Sequence, residues 1–214
     1  MIYRFCRWVA RQFLAVFCPG AIVGREHVPA RGPALLLCNH NSHLDPPLVG
    51  AALRRPVHFM AKAELFAVPG FGGLIRRLHA FPVTRESADR AALRYAEALL
   101  ARGELLVLFP EGRRSPDGVL GDPELGAALL AVRSGAPVIP TVVLGSEQAL
   151  PAGARWPRRR PVTVHFGKPF VPDAGAATGQ ERLRVVAGQI MRAMAALLPP
   201  ERRGKWSLPP GPLA

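Results

Sequence analysis

A succession of short apolar runs, each bounded by glycine, proline or charge, constrains the folding of this chain more than any other feature. The runs are "ALLLCN" (34–39), "PVHFMA" (56–61), "HAFPV" (79–83), "ELLVLFP" (104–110), "PVIPTVVL" (137–144) and "RPVTVHFG" (160–167). Each has strand length, and near-continuous apolar character suits a strand buried on both faces. The stretches between them carry helix punctuation. Asp45 followed by Pro46 and Pro47 reads as a capping side chain ahead of proline in the first turn of a helix reaching Leu53. Residues 64–78 read as a helix broken at Pro69-Gly70. Ser87 opens a helix to Ala101 that Gly103 closes, Asp122-Pro123 opens one that ends at Gly135, and residues 179–198 form a closing helix. The expected fold class is α/β, a largely parallel or mixed sheet covered by helices. A length of 214 residues suits one domain. It is expected over 19–200, after an N-terminal helix (1–18) and before an irregular Pro- and Gly-rich tail (201–214).

The N-terminal segment "MIYRFCRWVARQFLAVFC" has its own pattern. At about 100° per residue, Arg4, Arg7 and Arg11 fall on one stripe, and Ile2, Phe5, Val9, Phe13, Val16 and Phe17 gather opposite. Tyr3 and Trp8 lie near the boundaries, where amphipathic rings sit at a lipid–water interface. A helix docked on the protein's own core would also be amphipathic, but a phenylalanine-rich face opposite a basic one favours a helix lying in a membrane surface. The arginines interrupt any signal-peptide core, and no stretch reaches the ~20 apolar residues of a spanning helix. Lys and Arg number 28 against 15 Asp and Glu, a net charge of +13 that favours anionic partners. Cys6, Cys18 and Cys38 are scattered without metal or disulfide spacing, so a reducing compartment is expected.

Two chemically rich stretches follow apolar runs directly, where α/β sheets gather their ligand sites. The first is "NHNSHLDPP" (39–47). As metal ligands, His40, His43 and Asp45 lack the usual spacing and a second histidine cluster, so no metal is expected. As a base and its carboxylate they fit better. A turn can fold back so that Asp45 accepts from one ring nitrogen of His40, fixing the tautomer and stabilising the imidazolium formed when the other nitrogen takes a proton. No serine or cysteine nucleophile with a fitting context accompanies them, so the attacking hydroxyl would belong to the substrate. His43 is the weaker candidate, because the short gap to Asp45 leaves its ring little room to turn, and Asp45 alone could be a plain helix cap.

The second stretch is "LFPEGRRSPDG" (108–118). Gly112 lets the backbone approach a ligand, Arg113 and Arg114 offer forked donors to phosphate oxygens, and Glu111 could accept from a substrate hydroxyl. The bland reading is a charged loop.

Together, "NHNSHLDP" and "FPEGRRS" resemble the glycerolipid acyltransferase family, within it the 1-acylglycerol-3-phosphate acyltransferases. His40 and Asp45 match the family's His-x4-Asp element, and Phe109, Pro110, Glu111 and Gly112 its Phe-Pro-Glu-Gly element. "FPVTR" resembles the substrate-phosphate block and carries over Arg85. "AKAEL" carries over Lys62 as a second phosphate contact, and "VIPTVV" carries over Pro140 as a shaper of the acyl or acceptor pocket. Arg113 stands where threonine is common, and Glu124 where many members have lysine. The resemblance implies a membrane-associated enzyme that moves a fatty acyl group to the free hydroxyl of 1-acylglycerol-3-phosphate, giving phosphatidic acid. The donor would be acyl-CoA or acyl carrier protein, no cofactor would be needed, and the location would be the cytoplasmic face of the cell membrane. Transfer to another lysolipid or to glycerol-3-phosphate is the near alternative. A polyanion-binding protein, suggested by Arg155, Arg158, Arg159 and Arg160 beside Trp156, is the distant one. It has no nucleic-acid-binding signature and only 7% aromatic residues, so nucleic acid is not expected as a partner.

Overall fold

A computed structural model describes residues 2–84, 89–115 and 117–207. Seven strands form one sheet: β1 (Ile22–Val23), β2 (Ala34–Cys38), β3 (His58–Lys62), β4 (Ala80–Val83), β5 (Leu105–Leu108), β6 (Val138–Leu144) and β7 (Thr163–Phe166). Their spatial order is β1-β7-β6-β2-β5-β3-β4. The central strands β6, β2, β5, β3 and β4 run parallel, while β7 runs antiparallel to β6 and parallel to β1. The helices are α1 (Ile2–Phe17), α2 (Asp45–Ala52), α3 (Phe71–Arg77), α4 (Arg90–Ala101), α5 (Leu125–Ser134), α6 (Ser146–Ala149) and α7 (Gly179–Ala195).

Alternation along the strands divides the core into two layers. Leu35 and Leu37 of β2, Leu106 and Leu108 of β5, and Val138 and Val142 of β6 face α4, α5 and α7. Leu36 and Cys38, Leu105 and Val107, and Ile139 and Val143 face the other way, against α2 and Leu14 of α1. All five side chains of β2 and all four of β5 are buried, as their unbroken apolar sequences require. Burying each such leucine contributes about 1.5–3 kcal/mol.

Several boundaries differ from the sequence reading for local reasons. Asp45 opens α2 but does not cap it, because its carboxylate turns back to the preceding loop and Leu44 takes the cap position without a side-chain bond. Asp89 caps α4, its Oδ1 accepting from the Ala92 amide at 2.9 Å; Ser87 lies outside the described residues. Asp122-Pro123 does not start α5, since the Glu124 amide donates to the Pro110 carbonyl (2.8 Å) and keeps the chain extended for two more residues. Gly135 closes α5 in a left-handed conformation, φ 59°, which suits its lack of a Cβ. The strand β1, Ile22–Val23 with both side chains exposed, is apolar but too short to be read as a strand.

The expected tail is irregular only in part. Residues 200–202 and 204–206 form short 3-10 turns packed against the domain. Leu120 donates its amide to the Arg202 carbonyl (2.9 Å), and Trp206 Nε1 donates to the Gly121 carbonyl (2.9 Å). Arg202 also pairs with Glu147 at 2.7 Å, and Lys205 pairs with Asp122. This C-terminal strap lies over the loop that follows the Glu111 turn. Residues 208–214 lie outside the described residues.

Candidate active site

The parallel strands β2 and β5 end side by side, Leu37 level with Leu108, so the loops that follow them meet at one rim of the sheet. Strand β2 leads into the turn 39–44, and β5 leads into the turn 109–112. The first turn is tied down on three sides. The Asn39 side chain acts as a false backbone unit: its amide donates to the Val143 carbonyl (3.1 Å) and its oxygen accepts from the Val143 N–H (2.7 Å). The Ser42 hydroxyl donates to the Leu150 carbonyl at 3.1 Å. On the third side, the Ser115 amide donates to the His40 carbonyl at 2.7 Å.

Inside this frame lies the pair the sequence pointed to. His40 Nδ1 donates to Asp45 Oδ2 at 2.9 Å. The same oxygen accepts from the backbone amides of Asn41 (2.7 Å) and Ser42 (2.8 Å). Asp45 is fully buried, whereas the His40 side chain keeps 13% exposure. An ionised carboxylate accepts only, so this contact makes Nδ1 the donor, and in the neutral tautomer that donates there the lone pair lies on Nε2. The ring stacks on Phe109, centroids 4.3 Å apart, which fixes its plane. A neutral imidazole held by a buried carboxylate, with its other nitrogen open, is the arrangement of a general base.

Glu111 reaches the same turn from β5. It is buried, with Oε1 accepting from the His40 amide (3.3 Å) and Oε2 from the Gly121 amide (3.0 Å). Burial holds its carboxyl above the usual range, and the Gly121 and His40 amides pull the other way. Its position makes it a clamp between the histidine turn and the loop held by the C-terminal strap. Gly112 has φ 66°, the left-handed region, and a Cβ there would meet Glu124 Cγ at 3.0 Å. A side chain at 112 is therefore strained by backbone and neighbour together.

The other candidates spread around the rim. Arg113 and Arg114 are exposed and line an open cleft with Ser115 and Asp117, Glu111 contributing to its wall. That cleft adjoins His40 through the Ser115 amide. Lys62 ends β3 and pairs with Glu64 at 2.9 Å, so an incoming anion would have to compete with that carboxylate. Pro140 sits level with Leu37 and is buried in β6 rather than open to the rim. Arg85 lies outside the described residues. His43 is largely exposed; partial burial of its ring, with Arg114 and His40, lowers its pKa against a smaller opposite pull from Asp45, whose Oδ2 accepts from His40 and the two amides. Among the described residues, no three His, Cys, Asp or Glu side chains converge as a metal site would. Sequence reasoning gave no role to Asn39, Phe109 or Trp206. The first two stand within the motifs, and the third carried no pattern at all.

Comparison with known proteins identifies the family. The family model described as Acyltransferase matches residues 21–144. A 1-acyl-sn-glycerol-3-phosphate acyltransferase of Bacillus subtilis is 30% identical over 145 residues, covering 67% of this chain and 72% of that protein. One of Chlamydomonas reinhardtii is 31% identical over 195 residues, 89% of this chain and 56% of that protein. The crystal structure of the 1-acyl-sn-glycerophosphate acyltransferase PlsC from Thermotoga maritima superposes with a TM-score of 0.72 at 26% identity, covering 91% of this chain and 80% of that one. The histidine turn and the Glu111 turn both fall inside the matched span, and on this ground the chain belongs to the acyltransferase family.

Proposed function

We propose that this protein transfers a fatty acyl group from a thioester, acyl-CoA or acyl carrier protein, to the free hydroxyl of 1-acylglycerol-3-phosphate, giving phosphatidic acid. The observation that carries the reading is the Nδ1 contact of His40 to buried Asp45, which leaves Nε2 open at the sheet rim. In the reaction, Nε2 takes the hydroxyl proton as the oxygen attacks the thioester carbonyl. Asp45 stabilises the imidazolium so formed, and collapse of the tetrahedral intermediate returns the proton to the departing thiolate. No enzyme nucleophile enters the sequence of steps. Arg113 and Arg114, with Lys62 and Arg85, supply cations for the acceptor phosphate.

The location proposed is the cytoplasmic face of the cell membrane, by peripheral contact. No described helix is long and apolar enough to cross a membrane. Supporting surface contact, α1 docks on the domain by a narrow stripe around Leu14 while Phe5 (63% exposed), Trp8 (58%) and Val16 (58%) face outward. A helix merely completing the core would bury its richest apolar face.

The test crosses several lyso-acceptors with acyl-CoA and acyl carrier protein donors, following free thiol and product. Phosphatidic acid formed from 1-acylglycerol-3-phosphate supports the reading. Thiol release with no acylated phosphate-bearing product, or the same turnover by His40→Ala, overturns it.

A further inference from the structure

The loop between α6 and β7 bears charge and exposure that the acyl-transfer chemistry does not use. Trp156 is 81% exposed, more than any other large hydrophobic among the described residues. Arg155, Arg158, Arg159 and Arg160 surround it, all exposed, and no acidic residue occurs between Glu147 and Asp173. An indole left in water amid like charges gains nothing from the fold. We propose that this loop, residues 151–160, is a second lipid-contacting element, which sets Trp156 among the headgroups of an anionic bilayer while its arginines meet the phosphates. The proposal rests on the reading of the protein as a lipid-surface enzyme.

Three observations choose a bilayer over an acidic protein as the occupant. First, the loop is physically continuous with α1. The Arg160 amide donates to the Phe17 carbonyl (3.0 Å) and Arg159 Nε donates to the Val16 carbonyl (3.2 Å), so the loop satisfies carbonyls that the last turn of α1 would leave open. The exposed C-terminal end of α1, which carries Val16, and the base of the Trp156 loop therefore form one stretch of surface. Second, that surface combines scattered apolar side chains with a single sign of charge, which suits the layered chemistry of a lipid interface. Third, the root of the loop is bonded to the histidine turn, since the Ser42 hydroxyl donates to the Leu150 carbonyl (3.1 Å). Contact at the loop thus presents the rim that carries His40 to the layer in which a lysolipid resides.

The base of the loop is pinned and its tip is free to meet a surface. The Arg158 amide donates to the Ala149 carbonyl at 2.7 Å, and the Ala154 amide donates to the Pro151 carbonyl at 3.0 Å to form a tight turn before the tryptophan. The side chains of Trp156, Arg155 and Arg158 can be changed without touching these backbone contacts, whereas Arg159 supports α1 and is left alone.

The test compares wild type with Trp156→Phe and with the triple variant Trp156→Ser, Arg155→Ser, Arg158→Ser. Sedimentation is measured with phosphatidylglycerol-containing and pure phosphatidylcholine vesicles, and tryptophan quenching with brominated-chain lipids. The triple variant should lose about tenfold or more of its affinity for the anionic vesicles and change little on the neutral ones. The emission present in wild type and missing from Trp156→Phe should be quenched by the brominated lipid. Unchanged partitioning, or a Trp156 emission that vesicles leave untouched but acyl carrier protein shifts, overturns the proposal. Neither readout needs turnover, and both are repeated on His40→Ala. Failure of the loop contact is therefore read separately from failure of the acyl-transfer reading. A third arm uses turnover: the triple variant should lose activity on vesicle-borne acceptor and keep it on acceptor in detergent micelles.

Discussion

The turn 39–45 and helix α1 solve opposite problems. The turn closes on itself: Asn39 pairs with Val143, Asp45 takes two backbone amides and one imidazole nitrogen, and Ser42 holds Leu150. The helix does the reverse, anchored through Leu14, the Tyr3 hydroxyl on the Val57 amide and Arg7 on the Arg54 carbonyl, with its aromatic face left in the open. The difference separates two kinds of functional information. What a segment satisfies internally fixes its chemistry, and what it leaves unsatisfied names its partner.

The sharpest way to break the comparison is at His40. His40→Ala should lower kcat/KM by about 10²–10⁴, the usual contribution of a general base, with vesicle sedimentation unchanged. Activity within about tenfold of wild type would remove His40 from that role. Next in size, Asp45→Asn keeps the volume but offers the His40 N–H and the two amides a weaker acceptor. Turnover should fall by about 10²-fold or more, and thermal denaturation should show a stability loss of about 1–3 kcal/mol. On the other side of the contrast, Phe5→Ser combined with Phe13→Ser should cut vesicle affinity by about tenfold or more. The melting temperature should hold, since both rings are exposed; a large drop in melting temperature would make the face structural.

Smaller effects probe the support around the turn. Trp206→Phe removes the N–H that reaches the Gly121 carbonyl. It should cost about 0.5–1.5 kcal/mol of stability and lower kcat more than it raises KM. The smallest effect is a pH slope at Glu111. Its carboxyl is raised by burial, so the folded state holds the proton more tightly than the unfolded chain does. Its contribution is fully present below the ordinary carboxylate range and is lost as pH rises through the folded value. The stability difference between wild type and Glu111→Gln, followed by melting from about pH 4 to pH 7, should therefore move against wild type as pH rises. A flat difference would mean the carboxyl titrates alike in both states.

Much of the fold was legible because its central strands are short, apolar and buried on both faces, a pattern that leaves little alternative. The His40–Asp45 pair was legible because five residues of turn and a helix start put the two side chains within reach. What escaped has a common cause: it depends on contacts distant in sequence and without period. Strand β1 is two exposed residues paired to β7. The clamp made by Glu111 is defined by amides at 40 and 121, and no local motif announces that its carboxylate would accept from both. The strap at 200–206 was hidden by a Pro- and Gly-rich composition that usually marks loose ends.

That strap has a bearing on synthesis. Translation delivers the chain in order, so α1, the helix proposed to meet lipid, is made before the rest of the domain. The brace that runs from Trp206 through Gly121 and Glu111 to the His40 amide is completed only by the last-made part of the domain. The turn that carries His40 therefore gains its last brace only when the whole domain has been made, so the order of synthesis delays assembly of the proposed base.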